Sequence, residues 1–255
     1  MQSFDIDTLE TKKLMRSKYG MNAITGITHW HREVGTDNSI YLMGMRGGMF
    51  KSNYVELQRY TPDHANFSNP EVLGSFDVKK PSLVHSFSVT ENYAIIFYYP
   101  VVFNTGMCWV RKGIHGTECI EVLKDEPTDI YVMNLKTNEI EKMSAHTLFS
   151  LHHINAYEIN EGTELVLDMT PVDPLWLKEF PLLKNMINPP EYSHSTIVMN
   201  NELIRYNINL QTKEVTSSKF ENLLKDTKHG RYINNFDLGV INEAYRGKQV
   251  IFIVF

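Results

Sequence analysis

The sequence predicts an all-β fold, a β-propeller interrupted by a helical or loop insertion. Three observations predict it. Along the 255 residues the dominant local signal is short runs rich in β-branched and aromatic residues. A strand–turn–strand pattern with one shared polar turn recurs. The copies are unevenly spaced, which suits propeller blades carrying insertions better than a strictly regular repeat array.

Taken in order, the first element is Phe4-Asp5-Ile6-Asp7-Thr8-Leu9-Glu10-Thr11, a loose copy of the hairpin pattern. Ile40-Tyr41-Leu42-Met43 and the stretch from Tyr54 to Tyr60 read as strands. Ala94-Ile95-Ile96-Phe97-Tyr98-Tyr99 is a short apolar run ended by Pro100, the pattern of a buried strand. The two clear hairpin copies run from Tyr131 to Ile140 and from Tyr206 to Val215. Each places Asn-Leu-x-Thr at the turn, where Asn and Thr side chains bond to nearby backbone. Between Pro171 and Ser195 five prolines interrupt the pattern, with a short helix expected around Leu175 to Met186. The stretch from Gln249 to Phe255 reads as a buried strand. A bare apolar edge at a chain end invites aggregation, so the chain is expected to be a fragment, or a product that has lost its C-terminal part. No linker marks a boundary, and residues 1–255 read as one partial propeller domain. At roughly 40–50 residues per blade it holds about five compact blades at most.

Composition excludes several classes. The net charge of −5 and the lack of a long basic stripe argue against nucleic acid as partner. Cys108 and Cys119 are the two cysteines, not spaced as CxxC, which does not suggest a secreted disulfide scaffold. A reducing, cytoplasmic location is therefore expected. No charged and apolar leader opens the sequence, and no apolar run reaches the roughly 20 residues of a spanning helix. Peripheral membrane contact stays open.

Three strand-like segments carry histidine: Thr28-His29-Trp30-His31, Leu83-Val84-His85-Ser86-Phe87 and Leu151-His152-His153-Ile154. Neutral imidazole is a ligand for Fe, Zn, Cu and Ni. Adjacent strand residues point to opposite faces, so His152 and His153 serve different surroundings, whereas His31 shares a face with His29. Three histidines among ten do not specify a metal by themselves. His64, His115, His146 and His194 read as loop or surface residues, and Glu158 as a network carboxylate or a support under the site.

The text around these histidines resembles that of the carotenoid cleavage oxygenases. Asp7-Thr8-Leu9-Glu10-Thr11, followed by Ile27-Thr28-His29-Trp30-His31, is similar to the family's D-x-x-T-L-E-T and T-A-H-P-H stretches, with Trp30 standing where the family has proline. Val84-His85-Ser86-Phe87-Ser88-Val89-Thr90-Glu91-Asn92-Tyr93 is similar to V-H-S/D-F-x-x-T-x-N-Y. Leu151-His152-His153-Ile154-Asn155-Ala156-Tyr157-Glu158 is similar to F-H-H-I-N-A/T-Y-E. Arg205-Tyr206 and Phe220-Glu221 match weaker landmarks, and the resemblance spans nearly the whole chain.

The resemblance implies a seven-bladed propeller with one Fe(II) on its axis, held by four histidines beneath a hydrophobic tunnel. His29, His85 and His152 match three of those ligands. No residue here matches the fourth; His229-Gly230 lies in the wrong context. Glu221 matches a glutamate that orients a ligand histidine, and His31 and His153 fall to supporting roles. The implied reaction is oxidative cleavage of a carotenoid or apocarotenoid double bond by O2, giving aldehydes or ketones. A retinoid isomerase on the same scaffold and a truncated, non-catalytic carotenoid binder are the alternatives. Four neutral imidazoles would leave the iron electron-poor with open positions for O2, and a polyene with few polar handles requires an apolar tunnel to position its scissile bond.

Overall fold

The computed structural model describes residues 2–5, 7–14, 30–32, 39–48, 51–60, 71–103, 119–172, 203–220, 241 and 246–249. Among them the secondary structure is β throughout, apart from a 3-10 turn at Asn160–Gly162.

Three four-stranded antiparallel meanders make up most of the fold. The first comprises β3 (Trp30–Arg32), β4 (Ile40–Gly48), β5 (Lys51–Tyr60) and β6 (Glu71–Val78), in that order. The second comprises β7 (Ser88–Val89), β8 (Tyr93–Tyr98), β11 (Thr128–Asn134) and β12 (Ile140–Ala145). A small hairpin of β9 (Val101–Phe103) with β10 (Ile120–Val122) is inserted between β8 and β11. The third comprises β13 (Ser150–Ile159), β14 (Glu164–Pro171), β15 (Ile204–Asn209) and β16 (Val215–Lys219). A separate hairpin pairs β1 (Gln2–Phe4) with β2 (Thr11–Leu14). The first strands of successive meanders touch, β3 with β7 and β7 with β13, and the last strands of the second and third meet, β12 with β16. That is the arrangement of propeller blades, with an inner and an outer edge.

The middle blade shows why its strands read as unbroken apolar runs. On β8, Ala94, Ile96 and Tyr98 pack toward the first blade, against Tyr41, Met43, Val55 and Leu57. Ile95 and Phe97, with Tyr99 just past the strand, pack toward the third, against Leu165, Leu167, Met169 and Tyr206. On β11, Tyr131 and Met133 face the first blade while Ile130 and Val132 face the third. A sheet sandwiched on both sides needs apolar residues at consecutive positions, so alternation is lost.

The three hairpin copies fold alike. The Oδ1 atoms of Asn134, Asn209 and Asp5 each accept two backbone N–H groups, two and three residues ahead, at 2.8–3.1 Å. The Thr137, Thr212 and Thr8 hydroxyls accept the N–H two residues on. The residue following each threonine has positive φ: Asn138 at 61°, Lys213 at 61° and Leu9 at 59°. One local side-chain pattern thus closes all three turns.

Three four-stranded blades are complete among the described residues, within the upper bound of about five. Most of the proline-rich insertion, its expected helix, and all but Gln249 of the terminal strand lie outside the described residues. Cys119, buried ahead of β10, is disulfide-bonded. No helix among the described residues is long and apolar enough to cross a membrane.

Candidate metal centre

The histidines of the second and third motifs meet at the inner edge of two adjacent blades. His85 sits on the segment leading into β7, and His152 is the third residue of β13. Both are half-buried. Their rings lie with centroids 5.1 Å apart and planes at 66°. Two imidazoles holding one ion at about 2.1 Å, with roughly 90–110° between them, place their centroids about 4.6–5.3 Å apart. The observed separation falls within that range.

The other sequence candidates are placed less fully. His29 and Glu221 lie outside the described residues. β3, which follows His29 in sequence, touches β7. His31 stands on β3 opposite Tyr41. Among the described residues no group of three potential ligands is gathered; the His85–His152 pair is what they bring together.

His153 turns away from its neighbour, as strand geometry requires. It is 8% exposed, with Phe97 edge-on to its ring at 5.7 Å. Its Nδ1 lies 2.9 Å from the Ser88 hydroxyl and its Nε2 3.0 Å from the Tyr99 hydroxyl. Its main-chain N–H donates to Ser86 Oγ at 3.3 Å. The β13–β14 register is irregular on both sides of His153, between Ser150 and His153 and between His153 and Asn155. Such irregularities free backbone groups from the ladder and re-aim side chains.

The two motifs zip together over their whole length. Beyond the ring pair and the serine bonds, Glu158 closes the far end. Its Oε1 accepts from the Thr90 hydroxyl at 2.6 Å and from the Asn92 N–H at 2.7 Å, and its Oε2 from the Asn92 side-chain amide at 2.8 Å. Glu158 thus clamps the turn between β7 and β8 as the carboxylate of a hydrogen-bond network. Asn155 holds the segment 246–249 by accepting from the Gly247 N–H and donating to the Lys248 carbonyl. Sequence reading missed Ser86, Ser88, Tyr99 and Asn155. The available signal was a row of small hydroxyl residues, Ser86, Ser88 and Thr90, alternating inside an apolar segment and all buried.

A second polar cluster lies deeper in the third blade. Asp168, fully buried, receives two parallel bonds from Arg205 at 2.8 Å each, across a directly paired position of β14 and β15. The guanidinium lies 4.8 Å from the Phe220 ring centre and 5.8 Å from that of Tyr157. Burial pushes the Tyr99 hydroxyl well above its ordinary pKa, so this partner of His153 stays protonated.

Comparison with known proteins follows the same lines. The model of the family described as retinal pigment epithelial membrane protein matches residues 1–253. A mitochondrial carotenoid-cleaving dioxygenase from Macaca fascicularis is 29% identical over 199 residues, 73% of this chain and 34% of that protein. A β,β-carotene 15,15'-dioxygenase from Rattus norvegicus is 27% identical over 172 residues, 62% of this chain and 30% of that one. A point mutant of the apocarotenoid oxygenase from Synechocystis superposes with a TM-score of 0.71 at 15% identity, covering 99% of this chain and 48% of that chain. The aligned regions thus span about a third of these curated relatives and about half of the solved structure.

Proposed function

This chain belongs to the retinal pigment epithelial membrane protein family, and on that premise we propose that it is part of an iron(II)-dependent oxygenase cleaving a carotenoid or apocarotenoid double bond. The observation that carries the proposal is the His85–His152 pair, two half-buried imidazoles spaced for one shared ion at the inner edge of adjacent blades. The donor set suits the group: imidazole nitrogens are good ligands for ferrous iron and leave its charge uncompensated.

His85 and His152 would hold the iron from the second and third blades, and His29 from the residue before β3. Glu221 would accept a ligand ring N–H, fixing that ring's tautomer and orientation. His31 and His153 would support rather than ligate. When bound, iron would supply the O2 chemistry that oxidises the double bond to aldehyde or ketone products. The chain's own part is positional. The motif zipper from His85 to Asn92 and from His152 to Glu158 sets the distance between ligands, and the apolar packing behind it keeps water from the supporting bonds. A polyene substrate is drawn from lipid, so peripheral membrane contact belongs to this reading. So does a cytoplasmic location, which requires that the Cys119 disulfide be reduced in the cell. Alkylating thiols before lysis tests that point.

The test uses the natural protein carrying this chain. Purified under reducing conditions, it should hold about one iron by elemental analysis, in line with a single four-histidine site. It should convert a carotenoid or apocarotenoid to aldehydes in air. His85→Ala should lose the metal and the products together. Iron retained by His85→Ala would overturn the ligand assignment. Pigment bound without turnover by an iron-free wild type would favour a non-catalytic binder.

A further inference from the structure

We propose that His153, with Ser86, Ser88, Tyr99 and Ser150, forms a hydroxyl-bridged brace that positions the His85–His152 pair. The proposal deepens the metal-site reading above and rests on it.

The brace begins at the peptide group joining His152 to His153. The register with β14 is irregular on both sides of His153, which itself pairs with Met169. Serines meet both polar atoms of this peptide group. The His152 carbonyl accepts from the Ser150 hydroxyl at 3.1 Å, and the His153 N–H donates to Ser86 Oγ at 3.3 Å. Ser86 is the chain neighbour of His85. The orientation of the His152 backbone, and hence the direction of its Cβ, is therefore set against the segment that carries the other imidazole.

The Ser150 hydroxyl also faces the Thr170 carbonyl, at 3.0 Å. On the ring side, Nδ1 of His153 lies 2.9 Å from the Ser88 hydroxyl and Nε2 lies 3.0 Å from the Tyr99 hydroxyl, so both ring nitrogens are held by hydroxyls of the second blade. All these residues are buried, so water does not substitute for a lost member. Ser88 and Tyr99 flank β8 on the second blade, while His153 and Ser150 belong to β13 on the third. The brace ties the two ligand-bearing blades at the point where the ligands meet.

The test removes the brace from its far side, leaving both metal candidates and His153 intact. In the natural protein carrying this chain, Co(II) serves as the probe, with affinity measured by titration and ligand geometry by its visible absorption bands. Ser88→Ala and Tyr99→Phe should each weaken Co(II) binding roughly 10–100-fold, the range for supports of metal ligands, and should shift the bands. Ser88→Thr, which keeps the hydroxyl, should restore both. Tyr206→Phe, a buried tyrosine in the same core, controls for general loosening and should change neither. Wild-type affinity and spectra in both variants would overturn the brace while leaving the iron reading intact. A wild type that binds no Co(II) or Fe(II) would overturn the iron reading and the brace with it.

Discussion

Replacing Glu158 by alanine should destabilise the protein by about 3 kcal/mol. The magnitude comes from its three bonds, at 2.6, 2.7 and 2.8 Å, all accepted by one carboxylate from Thr90 and Asn92. Hydrogen bonds to a charged group contribute about 1.5–3 kcal/mol each. Three would give about 4.5–9 kcal/mol if fully shielded, but Glu158 is half-buried and water can replace part of what is lost. A net of about 3 kcal/mol lowers the folded-to-unfolded ratio more than a hundredfold. Glu158→Gln should cost only about 1 kcal/mol: its carbonyl can keep the Thr90 and Asn92 N–H bonds, and the Asn92 amide can flip to accept from the new NH2. Urea unfolding followed by circular dichroism measures both. A Glu158→Ala loss below about 0.5 kcal/mol, or a Gln variant as damaged as the Ala variant, would refute the clamp. Because the clamp fixes the turn behind β7, the alanine variant should also weaken metal binding.

Asp168→Ala leaves the Arg205 guanidinium without its bidentate partner and should cost about 3–5 kcal/mol, whereas an Asp168→Leu, Arg205→Met pair should cost far less; equal losses in chemical denaturation would contradict the buried-pair account. Asn134→Ala and Asn209→Ala each remove two backbone bonds from an exposed turn and should lower stability by about 1 kcal/mol, additively because the turns lie on different blades; calorimetry of the double variant checks this. Alkaline pH should destabilise the fold. Burial raises Tyr98, Tyr99 and Tyr206 above the ordinary 10.0, so above that pH the unfolded chain releases protons the folded chain retains. Stability is complete below about pH 10 and falls above it. A flat urea midpoint between about pH 9 and 11, or one unchanged in slope by Tyr99→Phe, would contradict this.

The hairpins were legible because their chemistry is local. Asn134, Asn209 and Asp5 bond backbone two and three residues away, so the sequence window that contains the signal also contains its partner. The buried strand from Tyr93 to Tyr98 was legible because a sheet covered on both faces writes an unbroken apolar run. The opposite facing of His152 and His153 followed from strand geometry alone. Most of the proline-rich insertion, His29 and Glu221 lie outside the described residues.

By itself the sequence determined the all-β class, the repeated turn, and which histidines carry motif text. Tertiary structure decided which of those histidines meet and what holds them. His85 and His152 approach because two blades pack edge to edge, and His153 finds Ser88 and Tyr99 across separations of 65 and 54 residues. Local propensity cannot specify such partners. A hydroxyl facing a buried imidazole looks, in sequence, like any serine or tyrosine, and only the closing of one blade on the next brings it to its partner.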